Sequence, residues 1–130
     1  EVAARVFERG NRWAAQSRSP DARAELLHAY GVALALTGEI APGLEAMERA
    51  LAGTIHDADF RIEVEMVSGW GQQNVGRLHQ ARATLEALIA VDFRSARTVM
   101  GYPARVFAHG IYAWVLHEMG MFSAAERATR

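Results

Sequence analysis

The sequence predicts an all-α protein of about seven helices that are joined as antiparallel hairpins. Apolar residues recur every three or four positions along most of the 130 residues, which is the spacing of one face of a helix. Only three prolines occur, and no stretch shows the alternation of apolar and polar residues that is typical of a strand. Short connections between successive helical segments favour antiparallel packing.

A clear break separates the first two helices. Phe7 and Trp13 lie on a broad apolar stripe in the first segment, and "SRSPDA" interrupts this stripe. In that break Ser19 is a candidate N-cap and Pro20 a candidate first-turn proline for the second helix. The seven expected helices cover, in chain order, residues 1–17, 20–37, 41–54, 59–75, 79–91, 103–119 and a last segment from about 123.

The later helices are recognised by their apolar positions and by the glycines that end them. Gly38, Gly76 and Gly120 follow the second, fourth and sixth helices, where a left-handed residue often terminates a helix. The segment 53–59, "GTIHDAD", is expected to be a solvated loop, and 91–103, "VDFRSARTVMGYP", a longer connection. The apolar sides of the second, third and fifth helices are expected to contain Leu26, Leu27, Tyr30, Leu34 and Leu36, then Leu44, Met47 and Leu51, then Leu85, Leu88 and Ile89.

The same three glycines mark an internal repeat, because they lie 38 and 44 residues apart and similar residues recur around each. A hydrophobe follows each glycine by two positions, a small residue follows it by five, and another small residue precedes it by seven. We expect the glycine to form a turn, the hydrophobe to close the end of the hairpin, and the small residues to let two helix backbones approach closely. Such hairpins stack because none buries its faces alone. The recurring residues are Ile40, Leu78 and Phe122, then Gly43, Ala81 and Ala125, then Gly31, Gly69 and Ala113.

These residues resemble the tetratricopeptide repeat (TPR), in which small residues flank a glycine turn that is followed by a large hydrophobe. The resemblance covers roughly residues 21–130, and it departs from the family in its longer period (about 34 residues is standard) and in lacking the repeat-ending proline. The long-repeat variant is similar to the helical region of large bacterial signalling proteins, in which a regulatory ATPase is joined to a nucleotide cyclase or a LuxR-type DNA-binding domain. The stretch "GYPARVFAHGIYAWVLHEMGMFSAAE" carries most of that similarity.

The resemblance implies a right-handed α-solenoid in a cytoplasmic regulatory protein. Both ends of the chain fall within helical patterns, so we expect an excerpt of a larger protein. The expected organisation is a single TPR-like domain with a partial repeat over 1–19, repeats over 20–56 and 57–94, and a truncated repeat over 95–130.

The resemblance also implies a concave surface, formed mainly by the first helix of each repeat, that would bind an extended or helical peptide. The alternative for Trp70 and Trp114 is a core position between repeats, because large aromatic side chains usually pack inside. The residues that the spacing assigns to this partner-binding groove are His28, Glu63, Trp70, Gln73, Asn74, Trp114, His117 and Glu118.

Composition and motifs argue against several other functions. The absence of cysteine excludes disulfides, thiolate metal sites and cysteine catalysis, and the net charge of −1 gives no reason to expect direct binding of nucleic acid or a membrane. The five histidines are scattered, and neither a P-loop nor a G-x-S-x-G motif occurs. Arg94, Arg97 and Arg105 flank the long connection and are expected to be ordinary surface residues. We therefore predict no catalytic residue, cofactor or metal.

The leading interpretation is a non-catalytic scaffold for protein–protein contact or for signal relay within one chain. Its partner would be a protein, a peptide or another domain of the same chain. The alternative is a small-ligand sensor within a regulatory ATPase, transcriptional regulator or nucleotide cyclase, which the long 92–103 connection and the grouping of Trp, His and Glu residues suggest. Apolar faces around Val2, Phe7 and Met121 also predict self-association into homo-oligomers.

Overall fold

The computed structural model of the chain describes residues 2–91, 98–99 and 101–129. In this part of the chain the predicted all-α fold with seven helices is confirmed, and the helices pack in sequence-adjacent pairs. Arg94 and Arg97 lie outside the described residues. The helices are α1 (Val2–Ala14), α2 (Ala22–Leu36), α3 (Ile40–Ala52), α4 (Ala58–Asn74), α5 (Leu78–Ala90), α6 (Ala104–Glu118) and α7 (Phe122–Ala128).

A short β-hairpin precedes α6 and was not predicted. Strand β1 (Thr98–Val99) pairs antiparallel with β2 (Tyr102–Pro103), so that Val99 faces Tyr102 across the ladder. Gly101, in the connecting turn, has φ of 85°. Two-residue strands are too short to show an alternating pattern, which explains why the sequence contains no strand signal here.

The chain divides into two compact units, Glu1–Val64 and Glu65–Arg130, and the division falls inside α4. In the first unit α2 packs against both α1 and α3. In the second unit α6 packs against α5, α7 and the short hairpin. The repeat limits at 19, 56 and 94 stay a prediction.

The three repeat glycines form the predicted turns. Gly38, Gly76 and Gly120 have φ of 95°, 78° and 76°, a region in which a side chain with a Cβ atom is strained. At each turn the N–H of the following residue donates to a carbonyl five positions earlier, which is the Schellman ending of a helix. These three bonds join Glu39 to Leu34 at 2.9 Å, Arg77 to Gln72 at 2.8 Å and Met121 to Leu116 at 2.8 Å.

The predicted close approach of helix backbones is found at the small residues Gly31 and Gly43 of the first unit. A Cβ atom on Gly31 would lie 2.6 Å from the carbonyl oxygen of Gly43, and one on Gly43 would lie 2.5 Å from the carbonyl oxygen of Gly31. The backbones of α2 and α3 are therefore in direct contact. In the second unit Gly69, Ala81, Ala113 and Ala125 are all buried.

The hydrophobes after the turns fulfil their predicted role only in part. Ile40 and Leu78 are half-buried, whereas Phe122 is 62% exposed. The Phe122 ring instead contacts His117 edge-on, with 5.2 Å between the ring centroids. Phe122 is therefore not buried in the hairpin as Ile40 and Leu78 partly are, and its ring packs against the end of α6 from the solvent side.

The start of α2 also differs from the prediction. The helix begins at Ala22, and Asp21 is the flanking residue in place of Ser19. The Ser19 hydroxyl accepts a hydrogen bond from the Asp21 N–H at 3.3 Å, so it caps a preceding turn and not the helix. The Asp21 side chain bonds elsewhere, as described below.

Candidate functional site

The eight residues predicted to form one groove fall into separate clusters in the two units. His28 and Glu63 belong to the first unit, and the other six belong to the second. Of these six, Gln73, Asn74 and Glu118 share one hydrogen-bonded cluster. Trp114 lines an apolar groove.

His28 is buried, with 8% of its surface exposed, so the prediction that it faces a partner is wrong. Its Nε2 lies 3.4 Å from Oε1 of Glu63, and its ring meets Phe60 edge-on at a centroid distance of 5.6 Å. Nδ1 is buried and has no hydrogen-bond partner within the part of the chain that the structure describes. Burial lowers the pKa of His28 below its ordinary value, and the neighbouring Glu63 carboxylate opposes this shift. The ring is thus held neutral inside the first unit.

Gln73, Asn74 and Glu118 form a hydrogen-bonded cluster between the end of α4 and the end of α6. Gln73 is only 5% exposed, which contradicts its predicted place on a binding surface. Its Nε2 donates to Oε1 of Glu118 at 3.0 Å. The Asn74 amide donates to the Trp70 carbonyl at 2.8 Å and to Oε1 of Gln73 at 3.0 Å. Because these groups satisfy one another, the cluster fixes the two helix ends to each other.

Trp114 is 52% exposed and lines an apolar groove of about 370 Å³ on α6. The alternative of a core position is therefore wrong for Trp114, whereas Trp70 is half-buried. His117 is exposed next to Phe122 and does not line this groove. The groove is lined by Tyr102, Val106, Phe107, Gly110, Ile111 and Trp114.

The groove exists because one helix face combines large side chains with a glycine. Phe107, Gly110, Ile111 and Trp114 are spaced by three and four residues, so they share one side of α6. Among the residues that the structure describes, a Cβ atom on Gly110 would meet nothing within 4 Å, so this glycine leaves open space in the middle of the face. Tyr102, which comes from β2 and is 60% exposed, forms a wall.

Two polar clusters were not predicted as sites. In the first unit, Oδ1 of Asp21 accepts the His56 N–H at 2.8 Å and lies 3.0 Å from His56 Nδ1, while Oδ2 accepts the Asp57 N–H at 2.9 Å. The bond from the His56 backbone, followed by the other donors, lowers the pKa of Asp21, although burial acts in the opposite direction. The 53–59 loop, whose last two residues belong to the first turn of α4, is therefore anchored, even though His56 and Asp57 face solvent as predicted.

In the second unit, Tyr112 on α6 donates to Oε1 of Glu86 on α5 at 2.6 Å, and Arg82 Nε donates to the same oxygen at 2.9 Å. The Tyr112 bond, then the Arg82 bond, lower the pKa of Glu86. Burial, and then Glu86, raise the pKa of Tyr112. The tyrosine hydroxyl thus stays protonated and holds α6 to α5. No sequence signal identified this pair, because the residues lie 26 positions apart.

Two further findings concern metals and membranes. Within residues 2–91, 98–99 and 101–129, no three His, Asp or Glu side chains are grouped so that they could hold a metal ion. In the same ranges no helix combines the length and apolar character needed to cross a bilayer.

Comparisons with protein-family models, curated proteins and solved structures find no match to the chain. Its function is therefore inferred from its own geometry.

Proposed function

We propose that the chain is a non-catalytic helical-repeat scaffold that binds a short apolar segment of a protein in the α6 groove. The observation that supports this proposal is the exposure of Tyr102, Val106 and Trp114, at 60%, 59% and 52%, around the open space at Gly110. Large exposed apolar side chains that surround a concavity are typical of protein-binding surfaces. Aromatic anchors in particular supply much of the binding energy at such surfaces.

The residues that line the α6 groove determine which kind of peptide segment it could bind. None of the six described residues that line the groove carries a charge, so recognition through these residues would depend on burial of an aliphatic or aromatic side chain. From Phe107 to Trp114 the helix rises about 10 Å. That length accommodates one or two anchoring side chains at helical spacing of three or four residues.

The resemblance to TPR proteins extends this proposal to a bacterial regulatory protein. In such a protein the segment belongs either to a separate partner or to another domain of the same chain. The short β-hairpin supports a binding role for this region, because it supplies Tyr102 as a wall that the repeat pattern alone does not provide.

The proposal is tested with a displayed peptide library panned against the wild-type chain. Selected peptides are expected to share a bulky apolar anchor. Replacement Trp114→Ala removes one wall, and Gly110→Leu fills the open space, so each should weaken a selected peptide by about tenfold or more. The matched control is Phe122→Ala, which removes an aromatic of similar exposure outside the groove.

Circular dichroism and thermal unfolding establish that each variant is folded before binding is measured. Peptides that bind both groove variants as tightly as the wild type would refute the proposed site. Loss of binding only in Phe122→Ala would transfer the site to the α6–α7 turn.

A further inference from the structure

A second concavity, distant in sequence from the α6 groove, lies in the first unit. It is a cleft of about 390 Å³ between the beginning of α2, the end of α3 and the first residues of the 53–59 loop. Its volume falls within the range of about 300–1,000 Å³ that is usual for small-molecule sites. Arg23 and Arg49 line it from the two helices, and Thr54 lines it from the loop.

The two arginines make the cleft positively charged. Both are exposed, and in the part of the chain that the structure describes neither forms an ion pair or a side-chain hydrogen bond. Two arginines that line one small cleft give it a positive potential, and a guanidinium group offers donors in a planar fork that matches carboxylate and phosphate oxygens. The Thr54 hydroxyl adds a neutral donor.

Arg23 lies at the end of α2 at which the helix dipole favours an anion. Arg23 is in the first turn of α2, at the positive end of the helix dipole, whereas Arg49 is in the last turn of α3, where a cation is favoured. Asp21 and Glu25 belong to the same end of α2, but neither lines the cleft, and both oxygens of Asp21 already accept bonds from the loop. An anion bound in the cleft would be favoured both by the dipole of α2 and by the two arginines.

Beside the arginines, the cleft has an apolar wall, which would contact an apolar part of a ligand. Pro20, Leu27 and Ala50 are among the residues that line the cleft beside the charged groups. We propose that this cleft binds a small organic acid whose phosphate or carboxylate group contacts Arg23 and Arg49 and whose compact apolar body packs on this wall. This ligand site is separate from the α6 groove and gives the chain a sensing function beyond that of a scaffold.

Binding at this cleft would act on the first unit as a whole. The ligand would contact α2, α3 and the loop at once, and the loop is tied to α2 through Asp21. A molecule that binds only when these three elements are assembled stabilises the folded state in proportion to its concentration. The melting temperature of the first unit should therefore rise with ligand.

The first experiment is a titration of the ¹⁵N-labelled chain with phenyl phosphate, followed by amide chemical shifts. We expect saturable shifts centred on Arg23, Arg49 and Thr54, with a Kd of about 1 mM or tighter for a probe of this size. Benzoate distinguishes a carboxylate ligand from a phosphate ligand. Phenol and inorganic phosphate, each added alone, separate the contribution of the apolar wall from that of the charged groups, and each should bind at least about tenfold more weakly.

Arg23→Gln and Arg49→Gln should each weaken binding of the better probe by about tenfold, because each removes charge-assisted hydrogen bonds. The matched control is Arg12→Gln, which removes the same charge from the last turn of α1 at a residue that does not line the cleft. The proposal is overturned if neither phenyl phosphate nor benzoate saturates, if Arg12→Gln weakens binding equally, or if inorganic phosphate binds as well as phenyl phosphate. None of these outcomes depends on peptide binding at α6, so the two sites fail or succeed separately.

Discussion

Burial determines the protonation state of His28. In the folded chain the neutral ring is favoured, because burial lowers its pKa more than Glu63 raises it. The unfolded chain takes up a proton near pH 6.5, so the free energy of unfolding should fall as the pH drops below about 6.5 towards the lowered folded pKa. Urea unfolding at a series of pH values from 8 to 5 measures this, and His28→Asn should reduce the dependence.

The control for His28 is His79→Asn, which replaces an exposed histidine on α5. This variant should keep the pH dependence of the wild type. A slope that is unchanged in His28→Asn would show that His28 is not the group whose protonation weakens the fold.

Asp21 determines how firmly the 53–59 loop is held. Asp21→Asn removes the charge that attracts the N–H groups of His56 and Asp57, so hydrogen exchange at these two amides should become roughly tenfold faster. In the wild type the anchor should weaken only as the pH falls below 3.8 and through the lowered pKa of Asp21, since protonation then removes the same charge. Asp59→Asn, at an exposed acid in the first turn of α4, is the control and should leave both amides protected.

At the scale of the element, glycine is required at Gly38 and is not required at Gly110. Gly38→Ala forces a Cβ atom into a left-handed conformation at φ of 95°, so it should destabilise the chain by about 1–2 kcal/mol. Gly110→Ala places a methyl group in open space inside α6 and should stabilise it by about 0.5–1 kcal/mol. Urea denaturation of both variants measures the two opposite effects, and equal changes would contradict this assignment.

The contact between α2 and α3 gives a related prediction. Gly31→Ala would bring a Cβ atom to 2.6 Å from the Gly43 carbonyl, and backbone atoms cannot move aside as a flexible side chain can. We expect a loss of about 1–3 kcal/mol, which is the usual cost of overpacking. Gly53→Ala is the control, because φ there is −82° and the nearest atom to its Cβ would be 3.4 Å away.

The elements that sequence could predict are those with local causes. The glycine turns depend on residues within six positions of one another, so Gly38, Gly76 and Gly120 were identified correctly. The beginning of α2 depends on Asp21 bonding a loop 35 positions away, and no local rule contains that contact. His28 and Gln73 were assigned to a groove from their spacing in the repeat, which does not contain the contacts that bury them beside Glu63 and Glu118. The spacing of the repeat assigned Trp114 to a groove, and Trp114 lines the groove on α6. Tyr102 lines the same groove but was not predicted, because it lies outside the repeat pattern.

At the scale of the whole molecule, the same hairpin design recurs with different surfaces. The first unit carries the charged cleft and an exposed apolar face on α1, and the second carries the apolar groove on α6. The α1 face was predicted around Val2 and Phe7, but only Val2 is exposed there, since Phe7 stacks on Tyr30 with ring centroids 4.3 Å apart. Met121 is half-buried and accepts a bond from Arg82.

The exposed face of α1 leads to the last prediction, which concerns association of the chain with itself. Val2, Val6 and Trp13 are 68%, 64% and 63% exposed and share one face by helical spacing, although Arg9 lies 5.0 Å from the Trp13 ring. Contiguous exposed apolar residues favour association, so sedimentation equilibrium should show an average mass that rises with concentration. Val6→Arg places a charge in the middle of this face and should abolish the rise, whereas Leu36→Arg, at a residue of 63% exposure on α2, should not. If Val6→Arg associates as the wild type does, the chains contact each other through another surface. If the wild type stays monomeric at every concentration, the exposed face of α1 is not sufficient for self-association.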